Sequence, residues 1–442
     1  MRAIIAFQIL NYQGYFVEKV LEHFKIITTI PRCSHCAEQM KAYITAFALA
    51  QHFSVQEDEY GNILCQKGNP TICLQAHYDM VCIGDTSKIE LVQEKNILKA
   101  KNSTLGADNG MGMAIMFTCM EEYEDLECLF TSDEEVGLIG ASGFKMPLAS
   151  SCLLNLDSEE EGEICIGCAG GMDVIATLKL DFLPLSNAEK IYEISACDFL
   201  GGHSGVDIDK KIPSAIKVLA RELSKHDVKL ISIKGGERRN SIPKSATALA
   251  ASSEAIKLFD KSLHVRLVEE LTCKEFIASS SMIIQTLNAF AQGVREWETS
   301  LGIPSMSINL GVLSEDEGVL RIDCAARAMD DESLDILCDE TLCFFKALGF
   351  TVKSEGRHGA WTPHIGSFAK KVQEIMQKEY QEVPFQAIHA GLECGVLIAN
   401  QDKKIEAISI GPTIVYPHSL REECDLDSVG RMAKIVKEII KG

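Results

Sequence analysis

Histidine and carboxylate side chains recur in this sequence directly after short apolar runs. They are His77 and Asp79 in LQAHYDM, Asp133, Glu134 and Glu135 in LFTSDEEVG, Asp157 in LLNLDSEEEG, His418 after AISIG, and Asp108 in TLGADNGMG. Imidazole and carboxylate donors without a matched set of thiolates favour zinc, manganese or cobalt at a hydrolytic site over a structural, cysteine-rich zinc site. The pattern therefore indicates a metal centre that activates water.

Each of these residues alone has an ordinary structural explanation. Asp108 at the start of a helix is typical of an N-cap, and His77 is typical of a histidine at a strand end. Adjacent acids usually lie on a solvated face, but Glu134 and Glu135 follow an apolar strand and precede Gly137. The combination of motifs, more than any single residue, favours a site.

The elements that carry these residues alternate along the first part of the chain. The runs GNILCQ, TICLQAHYD, LECLFTSDEE and LLNLDSEEEG have the length of strands, and helical patterns occur from about Glu38 to His52 and in DNGMGMAIMFTCMEEY. This alternation predicts a mainly parallel α/β sheet. Ligands bind at the carboxyl ends of strands in such sheets, so we expect the polar motifs to converge there.

A different pattern begins near Gly170. MDVIATLKLDF, EKIYEISACDF, SMSINLGVL and GVLRIDCAARA predict strands, IPSAIKVLARELSK predicts a helix, and we predict a long polar helix between Glu269 and Glu298. An α/β pattern returns near Thr362, with helices over SFAKKVQEIMQKEY and DSVGRMAKIVKEIIKG and a strand at EAISIG. We predict a mixed sheet flanked by helices, interrupted by a smaller α+β domain, with boundaries 1–170, 171–356 and 357–442. Three consecutive domains stay open as an alternative.

The composition excludes several classes of protein. The chain has 442 residues, with 43 Lys and Arg against 63 Asp and Glu, for a net charge of −20. This charge repels phosphate backbones, so we expect no nucleic-acid partner. No apolar run approaches the roughly 20 residues of a membrane span, and no export signal is evident, so we expect a cytoplasmic protein without a membrane partner.

Cysteine is abundant but unevenly spaced. The 17 cysteines predict reduced thiols more than a disulfide framework. Cys33-Ser-His-Cys36 and Cys165-Ile-Gly-Cys168 both have the C-x-x-C form, and we interpret them as local thiols without a redox role.

An ordered series of motifs is similar to that of the M20 metallopeptidases. The motifs are HYDM, TLGADNGMGMA, TSDEEVGLIGA, LNLDSEEEGEICIGCAGG, GGHSGVDI, RRNSIP, HAGLECG and GPTIVYPHS, and they extend from about Ile30 almost to the C-terminus. The series most resembles the aminoacyl-histidine dipeptidases, also called cytosolic non-specific dipeptidases or peptidase D. The resemblance implies a zinc-peptidase-like catalytic domain interrupted by a lid domain, two Zn²⁺ ions with Mn²⁺ or Co²⁺ as substitutes, and a homodimer formed through the lid.

The resemblance also implies a role for each polar residue in the first group of motifs. His77 and Asp157 resemble the ligands of one metal, Glu135 and His418 resemble those of the other, and Asp108 resembles the bridging carboxylate. Asp79 is implied to orient His77, and Glu134 is implied to be the general base that takes a proton from water and returns it to the leaving amine.

The lid and the second part of the catalytic domain are implied to supply further residues. His203 in GGHSG resembles a histidine that stabilises the oxyanion, and whether it acts within its own chain or across a dimer stays open. Asn240 and Arg327 in the lid are expected to bind the substrate carboxylate. His389 and Glu393 are expected to line the pocket after the chain returns to the catalytic domain, with Glu393 able to meet the free amine.

The implied activity is hydrolysis of small peptides, namely Xaa-His dipeptides or dipeptides in general. An M20 deacylase or aminoacylase would use the same metal chemistry on N-acyl amino acids. A catalytically silent binding homologue is a further alternative, although loss of function would be expected to remove Glu134 or a ligand, and all of them are present.

Overall fold

The computed structural model describes residues 17–186, 188–269 and 274–442, which fall into two units. The first unit contains the described residues up to Gly167 together with Trp361–Ala387 and Leu392–Gly442. The second unit contains Cys168–Ala360 and Ile388–Gly391. The predicted α/β class with a mixed sheet is confirmed, while the names catalytic and lid for particular parts of the chain stay a prediction.

The first unit contains helices and short strands in alternation. Its elements are α1 (17–27), α2 (Glu38–Ala50), β1 (Ser54–Glu57), β2 (Ile63–Lys67), β3 (Ile72–His77), β4 (Leu91–Glu94), β5 (Ile97–Ala100), α3 (Ala107–Met120), β6 (Leu126–Thr131), α4 (Ile139–Gly143), β7 (Cys152–Asn155) and β8 (Ile164–Cys168). After the second unit they continue with α8 (Ser367–Met376), β22 (Phe385–Ile388), α9 (Glu393–Ala399), β23 (Glu406–Ser409), β24 (Ile414–Val415), β25 (Glu423–Asp425) and α10 (Leu426–Lys441).

The large sheet of the first unit has the strand order β1-β2-β6-β3-β7-β23-β8-β22 among the described residues. Strand β3 pairs in parallel with β6 and β7, and β7 pairs in parallel with β23. The six residues of β3 and the six of β6 are all buried, which explains why these strands have continuous apolar runs rather than alternating ones. The carboxyl ends of these four strands therefore meet at one edge.

The core of the first unit lies between this sheet and its helices. Helix α3 is buried on nearly all sides, so its Met111, Met113 and Met116 pack within the core as the Met-rich pattern predicts. Helix α10 begins at a capping residue, Asp425, whose side chain accepts hydrogen bonds from the backbone N–H groups of Asp427 and Ser428.

The second unit is built on an antiparallel sheet. Its elements are β9 (Gly170–Lys179), β10 (Phe182–Pro184), β11 (Lys190–Ala196), β12 (Gly202–His203), α5 (Ala215–Leu223), β13 (Lys229–Gly235), β14 (Ser241–Ile242), β15 (Ala246–Ser252), β16 (Leu263–Leu267), β17 (Glu275–Ile277), α6 (Ser280–Ala289), β18 (Gly293–Glu298), β19 (Ile303–Asp316), β20 (Val319–Ala328), α7 (Asp331–Ala347) and β21 (Thr351–His358). The order is β16-β11-β15-β13-β19-β20-β9-β21 for the described strands, and β18 also pairs with β19. Buried and less buried residues alternate along β11, as expected for a strand with one face on the core.

The prediction of a long helix between Glu269 and Glu298 is wrong. Residues 270–273 lie outside the described part, and the remainder forms β17, the short helix α6 and β18. Strand β18 pairs with β19 and β17 pairs with β10, so contacts with other strands override the local helical pattern.

The prediction of reduced thiols is wrong for one pair of cysteines. Cys33 and Cys82 form a disulfide, with Cα atoms 5.6 Å apart. The pairing of Cys33 with Met80 in an isolated parallel bridge brings the two segments together. Cys36, the second cysteine of the first C-x-x-C motif, is a free and exposed thiol.

Within the described ranges, every helix is too short or too polar to cross a lipid bilayer.

Candidate metal centre

Four parallel strands carry the polar motifs to one edge of the large sheet. His77 is the last residue of β3, Glu134 and Glu135 follow β6, Asp157 follows β7, and His418 lies in the loop region beyond β23. Asp108 lies at the start of α3, where its φ and ψ angles of −80° and 114° are not helical, and its peptide bond to Asn109 is cis. The sheet thus brings together side chains that are far apart in the sequence.

Asp108 lies between the two histidines. Its Oδ1 is 3.1 Å from Nε2 of His77, and its Oδ2 is 2.9 Å from Nε2 of His418. The same nitrogen of His77 is 3.2 Å from Oδ1 of Asp157, and that of His418 is 2.9 Å from Oε2 of Glu135. Each oxygen of Asp108 therefore faces a separate group of donors.

These donors form overlapping clusters of metal-binding size. His77, Asp108 and Asp157 offer ligand atoms within 4.8 Å of one another, as do Asp108, Glu135 and His418. A third cluster contains His77, Glu134 and Glu135. Buried Oε1 of Glu135 has no hydrogen-bond partner, which leaves a ligand atom available for a cation. Nitrogen and oxygen donors sharing one carboxylate fit a pair of divalent ions such as Zn²⁺, Mn²⁺ or Co²⁺.

Asp79 contacts both His77 and the two adjacent glutamates. Its Oδ1 lies 3.4 Å from Nδ1 of His77, which is close enough for electrostatic attraction but is not a well-aligned hydrogen bond. Its two oxygens also accept hydrogen bonds from the backbone N–H groups of Glu134 (3.0 Å) and Glu135 (3.3 Å). Ser34 donates a further hydrogen bond of 2.7 Å to Asp79. Asp79 thus contacts His77, Ser34 and the backbone of Glu134 and Glu135.

The mutual interactions of these groups shift their pKa values strongly. Burial works against the charged form of His418, but hydrogen bonds to Asp108 and Glu135 outweigh it and raise its pKa to about 11. Burial raises the pKa of Glu134 well above its ordinary value, an effect that His77 opposes and the Glu135 charge reinforces. The side chain of His77 is 1% exposed, whereas that of His418 is 48% exposed. The centre is therefore buried at one end and open to solvent at the other.

Glu393 is a fully buried carboxylate in the same unit. Its Oε2 accepts hydrogen bonds from Gln75 Nε2 (2.5 Å) and Thr131 Oγ1 (2.7 Å), while its Oε1 has no partner. Burial raises the pKa of Glu393 to about 8, with His77 opposing and Asp157 reinforcing the shift. The side chain is consequently held at the edge of β3 and β6 with one oxygen unpaired.

The raised pKa of Glu393 predicts a pH-dependent stability in the metal-free protein. In the folded state the carboxyl group of Glu393 keeps its proton up to about pH 8, whereas in the unfolded chain it releases the proton near the ordinary pKa of 4.5. Stability contributed by this group is therefore lost as pH rises between these values. Glu393→Gln, which cannot ionise, should be more stable than the wild type near pH 8, and the difference should shrink by at most about 1.4 kcal/mol per pH unit towards pH 5. Urea unfolding of both proteins measures this, and parallel pH profiles would contradict it.

In the second unit, the structure brings together several of the other predicted residues. His203 in β12 pairs with Ser241 in β14, and Ser204 N–H donates to the carbonyl oxygen of Asn240 at 2.8 Å. His203 also lies against Gly205, which in turn packs on the backbone of His389. Asn240 is thus a neighbour of His203 through its backbone.

Arg327 and His389 meet around Ser307. Ser307 and Arg327 are opposite one another in β19 and β20, and Ser307 Oγ lies 2.6 Å from Nε2 of His389. Nε of Arg327 and Nδ1 of His389 are buried and have no hydrogen-bond partner. Burial, together with the positive charges of Arg327 and His203, lowers the pKa of His389 to about 3. We call His203, Arg327 and His389 the basic cluster.

The position of His389 differs from the expectation. It was expected to return with Glu393 to the catalytic domain, but the structure groups residues Ile388–Gly391 with the second unit and Leu392 onward with the first. The hydrogen bond between His389 and Ser307 of β19 explains this, because it ties the short segment to the antiparallel sheet.

Some residues near these sites were not identified from the sequence. They are Arg32 and Glu422, which contact the turn before Asp108, Glu159, whose buried carboxyl lies near Asp108 and His418, and Ser307 and His358, which lie beside His389 and Arg327. Burial raises the pKa of Glu159 to about 9, with the Asp108 charge reinforcing the shift. Glu422 follows His418 by four residues, and this short spacing is the signal in the sequence that points to it.

The chain is similar to known proteins along almost its whole length. It is 33% identical to the cytosol non-specific dipeptidase of Escherichia coli (strain K12), with 95% of this chain and 96% of that protein covered. Among solved structures, it is similar to the aminoacylhistidine dipeptidase from Vibrio alginolyticus, with a TM-score of 0.77, 27% identity and 96% of each chain covered.

A more distant structure shares the fold alone. The M20 family metallo-carboxypeptidase Sso-CP2 from Sulfolobus solfataricus matches with a TM-score of 0.55 and 13% identity, covering 96% of this chain and 98% of the other. No protein-family model matches the chain.

Proposed function

Because this chain belongs to the M20 metallopeptidase family, in the branch of the cytosol non-specific dipeptidases, we propose that it hydrolyses dipeptides at a two-metal centre. The observation that carries the proposal is Asp108, whose two oxygens face separate histidines at 3.1 and 2.9 Å. A carboxylate shared in this way suits two cations held close together. Peptide-bond hydrolysis and metal dependence follow from the family, and the identity of the metals as zinc is part of the proposal.

We assign one ion to His77 and Asp157, the other to Glu135 and His418, and the bridge to Asp108. When bound, the two cations would polarise the scissile carbonyl, lower the pKa of the attacking water, and oppose the effect of burial, which raises the pKa of Glu134. Glu134 then accepts a proton from the water and delivers it to the leaving amine. Asp79 keeps His77 and the backbone of Glu134 and Glu135 in place for this transfer.

The basic cluster is our proposed site for the charged and developing negative groups of the substrate. Arg327 has a buried Nε–H without a partner, which suits a carboxylate acceptor. His203 is assigned to the oxyanion of the tetrahedral intermediate, Asn240 is assigned with Arg327 to the substrate carboxylate, and His389 is assigned to the lining of the substrate pocket. Glu393, with its unpaired Oε1, is assigned to the free amine.

A change of Arg327 to lysine should raise KM for dipeptides about 10- to 100-fold, because a charged hydrogen bond to the substrate carboxylate is lost. Hydrolysis of the matching dipeptide amide, which lacks that carboxylate, should change little. Arg321→Lys in the same strand is a suitable control, since Arg321 bonds to Asp323 instead. Equal losses for the dipeptide and its amide would contradict the carboxylate assignment.

Free and N-acetylated dipeptides distinguish the proposed activity from that of a deacylase. Both activities would use the same metal centre, but a dipeptidase needs a free amine that Glu393 can bind. We expect hydrolysis of Xaa-His and other dipeptides in the presence of Zn²⁺, with their N-acetyl forms cleaved much more slowly. Cleavage of only the acetylated substrates would refute the proposal in favour of a deacylase, and cleavage of neither would favour a binding homologue.

The cellular setting is proposed on the same basis. A relative named for the cytosol supports a cytoplasmic location for this chain. We also propose a homodimer formed through the second unit, which the mass of the protein in solution, measured by light scattering, would test.

A further inference from the structure

We propose that Glu422 is a positioning residue that fixes Asp108 and His418 relative to one another. This inference deepens the proposed function and rests on the assignment of Asp108 and His418 as metal ligands. Glu422 is 3% exposed and lies in the same loop as His418, so it is buried although its neighbours face solvent.

Glu422 accepts hydrogen bonds from the backbone that leads into Asp108. Its Oε2 accepts hydrogen bonds from the N–H groups of Leu105 (2.8 Å) and Gly106 (3.0 Å). Its Oε1 accepts hydrogen bonds from those of Ala107 (2.8 Å) and Asp108 (3.4 Å). One carboxylate thus satisfies consecutive N–H groups at the start of α3, where Gly106 offers no capping side chain.

Arg32 holds the same turn from the opposite side. It is 2% exposed, and its guanidinium donates one hydrogen bond to the carbonyl oxygen of Gly106 and another, of 2.7 Å, to that of Asp79. A Cβ at Gly106 would lie 2.6 Å from Nη2 of Arg32, and Gly106 has a φ of 69°, so glycine is needed here for two reasons. The turn before Asp108 is therefore fixed to the segment that follows His77.

The loop that contains His418 is also held in place by Glu422. Tyr416 and His418 both adopt left-handed φ angles, 56° and 55°, which are unfavourable for residues other than glycine. The hydrogen bonds of Glu422 hold the end of this loop against the turn of Asp108. Glu422 thereby links the bridging carboxylate to the second histidine.

Glu127 provides a matched control. It is a carboxylate of the same unit with no exposed surface, and it accepts hydrogen bonds from the backbone N–H groups of Ala149 (2.7 Å) and Ser150 (2.9 Å). It makes the same kind of contact as Glu422 but holds no residue of the metal centre. A purely structural role for Glu422 would make the two positions respond alike.

The test compares Glu422→Gln with Glu127→Gln. Glutamine keeps the size of the side chain but replaces one acceptor oxygen by a donor, so it cannot accept from all four N–H groups. We expect Glu422→Gln to weaken Zn²⁺ binding about 10- to 100-fold, to lower kcat with little change in KM, and to alter the visible absorption of bound Co²⁺. Glu127→Gln should change none of these.

Either of two results would overturn the inference: unchanged Zn²⁺ affinity and Co²⁺ absorption in Glu422→Gln, or equal losses in Glu127→Gln. If Glu422→Gln does not fold, Glu422→Asp keeps the charge on a shorter side chain and should give an intermediate loss of Zn²⁺ affinity. Because metal binding is measured directly, failure of this inference can be distinguished from failure of the proposed dipeptidase activity.

A separate observation concerns the disulfide. We infer that Cys33, Cys36 and Cys82 form a thiol–disulfide exchange site. The bridged Cys33 and Cys82 are half-buried, and Cys36 is exposed and free. The N–H of Cys36 donates to the carbonyl oxygen of Cys33 at 2.8 Å, so the free cysteine and the bridged one are joined by a single tight turn of the backbone.

The exchange needs no external oxidant or reductant. The Cys36 thiolate attacks Sγ of Cys33, the Cys33–Cys82 bond breaks, a Cys33–Cys36 bond forms, and Cys82 leaves as a thiolate that takes up the proton lost by Cys36. The loop that carries Cys33 also holds Ser34 against Asp79, so exchange replaces a covalent crosslink next to the candidate metal centre.

Acid quenching followed by alkylation and peptide mapping tests the exchange. We expect wild-type protein, without added reductant, to contain a fraction with a Cys33–Cys36 disulfide and an alkylated Cys82. Cys36→Ser should show no alkylated Cys82, and Cys343→Ser, which removes another exposed free thiol, should match the wild type. Absence of alkylated Cys82 in the wild type, or equal amounts in Cys36→Ser, would overturn the inference.

Discussion

Glu134→Gln is expected to lower kcat for dipeptide hydrolysis by about 10²- to 10⁴-fold while the bound metal content stays the same. Glutamine has the size of glutamate but cannot take a proton from water. The Glu134 carboxylate lies within 4.8 Å of ligand atoms of His77 and Glu135, so it can reach a water at the centre. Metal analysis and steady-state kinetics on the same preparation measure both quantities.

The neighbouring glutamate provides the contrast for this prediction. Glu135 faces His418 at 2.9 Å, and its second oxygen is buried without a partner, so Glu135→Gln should reduce metal content as well as activity. Glu127→Gln controls for the change of a buried carboxylate elsewhere in the unit. Activity near the wild-type level in Glu134→Gln would show that another group is the base.

Removal of the metal ions is expected to abolish hydrolysis and to lower the melting temperature by about 10 °C. Ligand present at a thousand times its Kd contributes about 4 kcal/mol to stability, and each kcal/mol corresponds to about 2 to 4 °C for units of this size. The acidic groups Asp108, Glu135 and Asp157 would also repel one another without cations, which adds to the loss. Chelation followed by calorimetry measures the shift, and Zn²⁺, Mn²⁺ or Co²⁺ should reverse it.

Variants separate metal loss from other effects of the chelator. Glu134→Gln should show the full shift, because it keeps the ligands, whereas Asp108→Ala should melt at a low temperature with or without chelator. A wild-type protein that retains its melting temperature after metal analysis has shown complete removal would count against a structural contribution of the metal centre.

Much of the arrangement around the sheet could be predicted from the sequence. His77 ends one buried strand and Asp157 follows another, and the parallel pairing of β3 with β7 places them at one edge. The positions of these residues at strand ends could be recognised from the sequence, because the pattern of apolar runs followed by polar residues is local. The amphipathic pattern of DSVGRMAKIVKEIIKG likewise predicted α10.

Residues whose role depends on distant contacts could not be predicted in this way. Arg32 bonds to a residue 74 positions away, and Glu422 bonds to one 316 positions away, so neither contact leaves a local pattern. The prediction of a helix between Glu269 and Glu298 failed because of distant contacts too, since β18 is fixed by its pairing with β19. Contacts between residues far apart in the sequence, more than local propensity, decided these positions.

The spacing of the ligands along the chain also bears on when the protein can become active during its synthesis. His418 follows Asp108 by 310 residues. At about 5 to 20 residues per second, a ribosome needs on the order of 15 to 60 s to make this segment. During that time the growing chain lacks β23, Glu422 and His418, so an unfinished chain cannot assemble the cluster of Asp108, Glu135 and His418. With the proposed assignment of His418 as a metal ligand, peptide hydrolysis begins only after translation has passed this residue, and incomplete chains stay inactive beside the ribosome.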